Sequence, residues 1–140
     1  MDINRITERI IGAALKVHST LGPGLPEIIY ERCLAIELAK QGLRFQCQVA
    51  IAVIYDGIRI AHDYYVDILV ENAVVVEIKA VDRVAPVHTA QLIGYLKLTG
   101  CAVGLLINFN SLNLRDGVKR VVMNYSGPFP RFPRPPRPSS

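Results

Sequence analysis

Tyr64-Tyr65-Val66-Asp67-Ile68-Leu69-Val70, a polar break at Glu71-Asn72, and Ala73-Val74-Val75-Val76-Glu77-Ile78-Lys79 form the stretch whose reading decides the fold. Both arms are rich in β-branched and aromatic residues, and the break supplies turn chemistry, so the stretch predicts two antiparallel strands joined as a hairpin. Side chains alternate along a strand. Glu77 and Lys79 therefore leave one face about 7 Å apart, and Val76 and Ile78 leave the other. One face is apolar and the other carries chemistry.

The register decides whether Asp67 joins that chemistry. A two-residue loop, Glu71-Asn72, would set Asp67 opposite Val76. A three-residue loop, Glu71 to Ala73, makes Asp67 and Glu77 direct partners. Three-residue loops with one residue in the left-handed region are common, and Asn72 tolerates that conformation, so the second register is the expectation. It gathers two carboxylates and an ammonium into one patch. Like charges opposite each other on a sheet repel, and a divalent cation between them reverses the sign. A salt-bridged surface strand, with Lys79 neutralising Glu77, would carry the same residues, since edge strands use charge against aggregation. Here, however, the charges interrupt a nearly continuous apolar run from Ala73 to Val81, the pattern of a central strand buried on at least one side.

Outward from the hairpin, the 140 residues are one domain's worth and long enough to bury a substantial core. A hydrophobic content of 51% and a mean hydropathy of +0.28 are high for a monomer of this size and point to self-association as a homo-oligomer. No run approaches the roughly 18 to 20 apolar residues of a membrane span. Met1-Asp2-Ile3-Asn4-Arg5 opens a polar helix and not a secretory signal, so no membrane partner and a cytoplasmic location are expected. Cys33, Cys47 and Cys101 are odd in number, widely spaced and set in apolar sequence, which argues for reduced core residues over a disulfide framework or a zinc site. The net charge of +4 invites nucleic acid, yet Arg131, Arg134 and Arg137 lie in the tail and leave the body close to neutral. Any basic footprint must be local.

Along the chain, Ile3, Ile6, Ile10, Ala14 and Val17 fall on one face of a helix over residues 3–18. Leu21-Gly22-Pro23-Gly24 stops it. A second helix starts near Pro26 and runs to about Gln41, with Glu27, Tyr30, Glu31 and Leu34 on one face and Ile29, Cys33 and Ile36 on a more apolar one. Residues 43–55 alternate as a strand, Asp56-Gly57 is a hairpin turn, and Ile58 opens the strand leading into Tyr64. Pro86 begins a third helix lasting to about Thr99, on which Gln91 and Tyr95 stack four apart. Residues 102–109 form a short apolar strand reached through that helix and so parallel to its predecessor. The segment around Val118 to Met123 is a strand or a short helix. Residues 127–140, with six prolines and three arginines, are expected to form a disordered or extended tail outside a folded domain of residues 1–126.

This order of helix, helix with Glu27, hairpin with Asp67 and Glu77-x-Lys79, helix with Gln91 and Tyr95, and strand resembles the PD-(D/E)XK nuclease superfamily. It resembles more closely the small GxxExxY proteins within it, whose naming motif is similar to Gly24-Leu25-Pro26-Glu27-Ile28-Ile29-Tyr30. The match spans roughly residues 5–123, and Gln91-x-x-x-Tyr95 resembles the helix motif of RecB-like exonucleases. The resemblance implies an α/β (α+β) restriction-endonuclease-like core, a mixed sheet of about four to five strands flanked by helices. It implies a metal-dependent nuclease acting on DNA or RNA phosphodiesters, with Asp67, Glu77 and, from its helix, Glu27 holding Mg²⁺ or Mn²⁺. Lys79 would activate the attacking water and steady developing charge, and Gln91 and Tyr95 would position a phosphate or complete the pocket. Tyr65 stands where a basic residue is expected, two positions before Asp67, which removes one phosphate-contacting cation. The alternative is a catalytically weak or inactive nuclease-fold protein serving as a binding or self-assembling module.

Overall fold

Helix α1 (Ile3–Leu21) begins at Asp2, whose carboxylate accepts the Arg5 N–H at 2.9 Å and so satisfies a donor that the first turn leaves unpaired. It buries Ile6, Ile10, Ala13, Ala14 and Val17 and continues to Gly22, which reverses the chain at φ 66°. In the computed structural model residues 1–123 are described. Residues 124–140, the Pro/Arg-rich stretch 127–140 among them, and the side chains of Ala61, His62 and Asp63 lie outside the described residues. After α2 (Glu27–Lys40) come strands β1 (Phe45–Tyr55), β2 (Ile58–Val70) and β3 (Val74–Lys79). Helix α3 (Pro86–Thr99), strand β4 (Val103–Asn108), a 3-10 turn (Leu114–Gly117) and strand β5 (Val118–Val122) follow among the described residues. The segment that sequence leaves open between strand and helix is thus a 3-10 turn followed by an edge strand.

The five strands form one sheet in the order β1-β2-β3-β4-β5. Among the described strands only β3 and β4 pair in parallel, as a crossover through α3 requires. Helices α1 and α2 cover one face, where Ile10, Val17, Leu34 and Leu38 pack on Ile68, Val70, Val74, Val76, Leu105 and Ile107. Helix α3 covers the other, with Leu92 and Leu96 against Leu69, Val75 and Leu106. Buried on both faces, β3 and β4 read as continuous apolar runs. The structure is a mixed α/β fold of the restriction-endonuclease-like kind, with helices on both sides of a mixed sheet.

The hairpin between β2 and β3 pairs Val70 with Val74 and leaves a loop of Glu71, Asn72 and Ala73. Both Glu71 and Asn72, and not Asn72 alone, take φ 53°. Glu71 is held there because its carboxylate accepts the Arg44 N–H and pairs with the Arg44 guanidinium at 3.3 Å. The turn expected at Asp56-Gly57 has both residues at positive φ, as a type I′ connection needs.

The structure settles which face of α2 is buried and corrects the reading of the cysteines as core residues. On α2 the buried line is Tyr30, Glu31, Leu34 and Leu38, while Ile29 and Ile36 face outward. Apolar residues surround this helix, so periodicity does not choose its inner side. Tyr30 does, by stacking on Phe109 with ring centroids 4.7 Å apart. Of the cysteines, all free, only Cys101 is buried; Cys33 is half-buried and Cys47 is exposed on the edge strand β1. Among the described residues no helix is long and apolar enough to cross a membrane.

Candidate active site

Strand β2 loses regular pairing on both sides at Asp67. Toward β1, partners run Phe45–Val70 to Cys47–Ile68 and resume at Val49–Val66, stepping over Gln48 and Asp67. Gln48 takes φ 53°, a left-handed conformation that costs a non-glycine residue about 1–2 kcal/mol. Toward β3, the ladder stops at Ile68–Val76, so continuing the register sets Asp67 opposite Glu77. Face alternation slips at the same point: Ile68 and Val70 pack on the α1/α2 side, whereas Val66 packs with Leu69 on the α3 side. Strain of this kind collects where a structure must present chemistry.

Side chains take over the missing ladder. The Asp67 N–H donates to Glu77 Oε1 at 3.1 Å, and the Ile78 N–H donates to Asp67 Oδ2 at 2.8 Å. Each carboxylate thus spends one oxygen on the other strand's backbone and keeps its second off the ladder. Glu77 is only 6% exposed. Burial, and then the neighbouring Asp67 charge, push its carboxyl up to about 8, against the smaller pull of the Asp67 N–H and the Lys79 ammonium. Lys79 closes β3, half-buried opposite Asn108, and forms no ion pair within 4 Å among the described residues.

Glu27 stands exposed in the first turn of α2, and its charge reaches the cluster only by raising Glu31. Glu31, one turn further on, is the acid that points inward. It accepts from Gln48 Nε2 at 2.7 Å, and the same amide reaches Asp67 Oδ1 at 3.4 Å. Burial raises the Glu31 carboxyl, and the Gln48 hydrogen bond partly offsets it. Sequence reasoning missed both residues as members of the cluster. The available signal for Glu31 was an acid lying between Tyr30 and Leu34 in the stripe that also holds Leu38. Gln48 gave none, because its place depends on a backbone conformation rare for glutamine. From α3, Tyr95 lies near enough to Glu77 and Asp67 that burial first, and then their charges, push its hydroxyl up to about 12. Its ring meets Tyr64 edge-on at 6.1 Å. Gln91, one turn before, lines a cavity together with Tyr95 and Tyr64. Among the described residues no three His, Cys, Asp or Glu side chains gather to enclose a metal ion.

Two asparagines brace the loops around this opening. Buried Asn108 accepts the Val81 N–H at 3.0 Å and donates to the Val81 carbonyl at 2.8 Å, fixing the chain just beyond Lys79. Asn110 accepts the Gly24 N–H at 3.0 Å and donates to Asp82 at 3.3 Å, tying the α1–α2 turn to that loop. Within the turn, the Tyr30 hydroxyl donates to the Gly22 carbonyl at 2.6 Å and accepts the Leu25 N–H at 3.1 Å, while Gly24 sits at φ 104°. The glycine and tyrosine of Gly24-x-x-Glu27-x-x-Tyr30 therefore build the turn from which α2 presents Glu31.

No curated protein and no solved structure matches the chain. A family profile described as the PD-(D/E)XK nuclease superfamily matches residues 4–121, nearly the whole described fold. With strand-borne Asp67, Glu77 and Lys79 converging where the sheet opens, the chain belongs to the PD-(D/E)XK nuclease superfamily.

Proposed function

We propose that the protein is a metal-dependent nuclease that hydrolyses DNA or RNA phosphodiesters at the Asp67–Glu77 opening. The observation that carries this reading is the crossed carboxylate pair, each member anchored by the other strand's backbone N–H. Asp67 and Glu77 would hold Mg²⁺ or Mn²⁺, and the donor set fits. These ions prefer one or two carboxylates with the remaining positions left to water and phosphate, so a third acidic ligand is not required. When bound, such an ion supplies Lewis-acid polarisation of the phosphodiester and of the attacking water. Lys79 places an ammonium beside Glu77, where it stabilises negative charge accumulating on the phosphorus oxygens. Gln48 holds Asp67 in place and links it to Glu31, which supports Glu31 over Glu27 as the helix acid of the site. Gln91 and Tyr95 face the substrate side from α3.

The test is Mg²⁺- or Mn²⁺-dependent cleavage of single- and double-stranded DNA and RNA by the wild type, beside Asp67→Asn, Glu77→Gln and Lys79→Ala. Loss of cleavage in all three variants is expected, and undiminished cutting by any of them would overturn the assignment. A second reading, a nuclease-fold protein that self-assembles, is favoured by Ile28, Ile29 and Ile36 standing 46%, 39% and 57% exposed on α2. Sedimentation of Ile36→Glu beside the wild type tests it: a dimer that dissociates on substitution supports assembly through this face, and a wild-type monomer removes it.

A further inference from the structure

At Tyr64, three residues before Asp67 on β2, the chain lines a cavity of about 400 Å³ between α3 and the outer part of the β1–β2 hairpin, within the size range of small-ligand sites. Tyr64 and Tyr95 form one wall, Val87 and Leu98 supply apolar surface, and the Gln91 amide is the polar group able to read an edge. Among the described residues no charged side chain lines it. Gly94 belongs to the lining, and a Cβ built on it meets nothing within 4 Å. A glycine inside a helix costs about 1 kcal/mol relative to alanine, so its presence where nothing crowds it has a reason outside helix stability. The effect is a helix surface kept open beside two tyrosine rings.

We propose that this cavity takes one unpaired nucleobase next to the scissile phosphodiester, which makes single-stranded nucleic acid the substrate class. The inference rests on the nuclease reading above for the identity of the neighbouring site. An uncharged aromatic wall suits a flat, neutral base, which stacks on such rings whatever its sequence. The phosphate that follows is directed toward Lys79 and the metal-binding carboxylates. Duplex binding draws its affinity from many cation–phosphate contacts. The chain body is close to neutral, because three of the four net positive charges are Arg131, Arg134 and Arg137. A base held within a duplex cannot enter without being unstacked and unpaired.

Fluorescence anisotropy on the Asp67→Asn protein, which holds strands without cutting them, tests the assignment with short labelled single-stranded DNA, single-stranded RNA and duplex DNA of one sequence. Either single strand should bind at least about tenfold more tightly than the duplex. Adding Tyr64→Ala should weaken single-strand binding by about five- to a hundredfold, the range for loss of one stacked base, and Tyr64→Phe should restore it. Gly94→Leu fills the cavity from a helix position that favours larger residues, so the variant folds and should also lose single-strand affinity. Tighter binding of the DNA or the RNA strand supports the proposal equally and names its sugar. Equal affinity for strand and duplex, or indifference to both Tyr64→Ala and Gly94→Leu, overturns it. Tyr64-dependent strand binding in a wild-type protein that cuts nothing in Mg²⁺ or Mn²⁺ would sink the nuclease reading and leave the base site standing. Metal-dependent cutting of duplex that Gly94→Leu does not slow would do the reverse.

Discussion

The two flanks of β3 are built differently. Toward β4 its pairing is parallel and unbroken from Val74–Val103 to Lys79–Asn108. Toward β2 it is antiparallel and ends after Ile68–Val76. On the first flank every position is backbone-paired, and β4 is apolar up to Asn108. On the second the ladder gives way to carboxylates as soon as Asp67 and Glu77 are reached. The difference separates two tasks of one strand: the β4 flank fixes where β3 lies, and the β2 flank leaves donors and acceptors free for chemistry. A site that replaces two ladder pairs with side-chain hydrogen bonds needs a rigid neighbour, and β4 provides it.

The sharpest way to break this contrast is on the open flank. Asp67→Asn or Lys79→Ala should lower metal-dependent cleavage by about a hundredfold or more, the scale for removing a preorganised charged group, while the melting temperature stays near that of the wild type. Asn keeps the oxygen that accepts from Ile78, so a large loss of stability in Asp67→Asn would mean the carboxylate is part of the scaffold and not of the reaction.

The next effect is one of pH, measured on protein kept metal-free by a chelator. The Glu77 carboxyl is raised from 4.5 to about 8 by burial and by Asp67, so between those values the folded chain holds a proton that the unfolded chain has released. With more protons bound when folded, stability falls as pH rises across that interval. The raised Glu31 carboxyl acts in the same direction. Glu77→Gln should flatten most of the slope and raise the melting temperature at about pH 8, and Mg²⁺ should stabilise the wild type more as pH rises because it binds the deprotonated pair. Thermal melts across pH with the wild type indifferent to it would remove the close carboxylate pair from the account.

On the paired flank the expected effect is smaller and is one of stability. Asn108→Ala removes both hydrogen bonds to Val81 and leaves half-buried backbone groups without them, at about 1–3 kcal/mol. Denaturant unfolding should show that loss. Cleavage should fall only as far as the loop after Lys79 loosens, so a complete loss of activity in a stably folded Asn108→Ala protein would show that the two flanks are not separable.

The same division governs which features the amino-acid sequence makes legible and which it hides. Val74 to Ile78 and Val103 to Ile107 are legible as buried strands because both faces are covered, and Asp67, Glu77 and Lys79 stand out because they interrupt apolar runs. The three-residue turn is legible because Asn72 accepts a left-handed conformation, although Glu71 shares it only through a tie to Arg44, distant in sequence. Glu31 is harder. Apolar residues surround α2, and Glu27 and Glu31 lie one turn apart, so helical periodicity ranks neither acid over the other. Stacking of Tyr30 on Phe109 decides it, and that contact exists only once the chain has folded. Gln48 is beyond any pattern, since nothing in Gln46-Cys47-Gln48-Val49 announces a residue at positive φ.

Helix α3 spans both flanks, and the smallest expected effect lies there. Its Leu92 side chain rests against β4, where a Cβ on Gly104 would come within 2.7 Å of Leu92 Cδ1. Its Tyr95 is near enough to the carboxylates on the open flank for its hydroxyl to feel their charge. Gly94 lies between these two residues with open space beside it, and Gly94→Ala should therefore stabilise the protein by about 0.5–1 kcal/mol through helix propensity alone. Because the added methyl projects into the cavity beside Tyr64 and Tyr95, the same variant should bind single strands somewhat more weakly than the wild type and better than Gly94→Leu. A gain in melting temperature with a graded loss of strand affinity from Gly to Ala to Leu would mean that the helix gives up stability to keep the cavity open. A gain in stability with affinity unchanged across the series would return Gly94 to the ordinary surface of α3 and leave the opening between β2 and β3 to act without a neighbouring pocket.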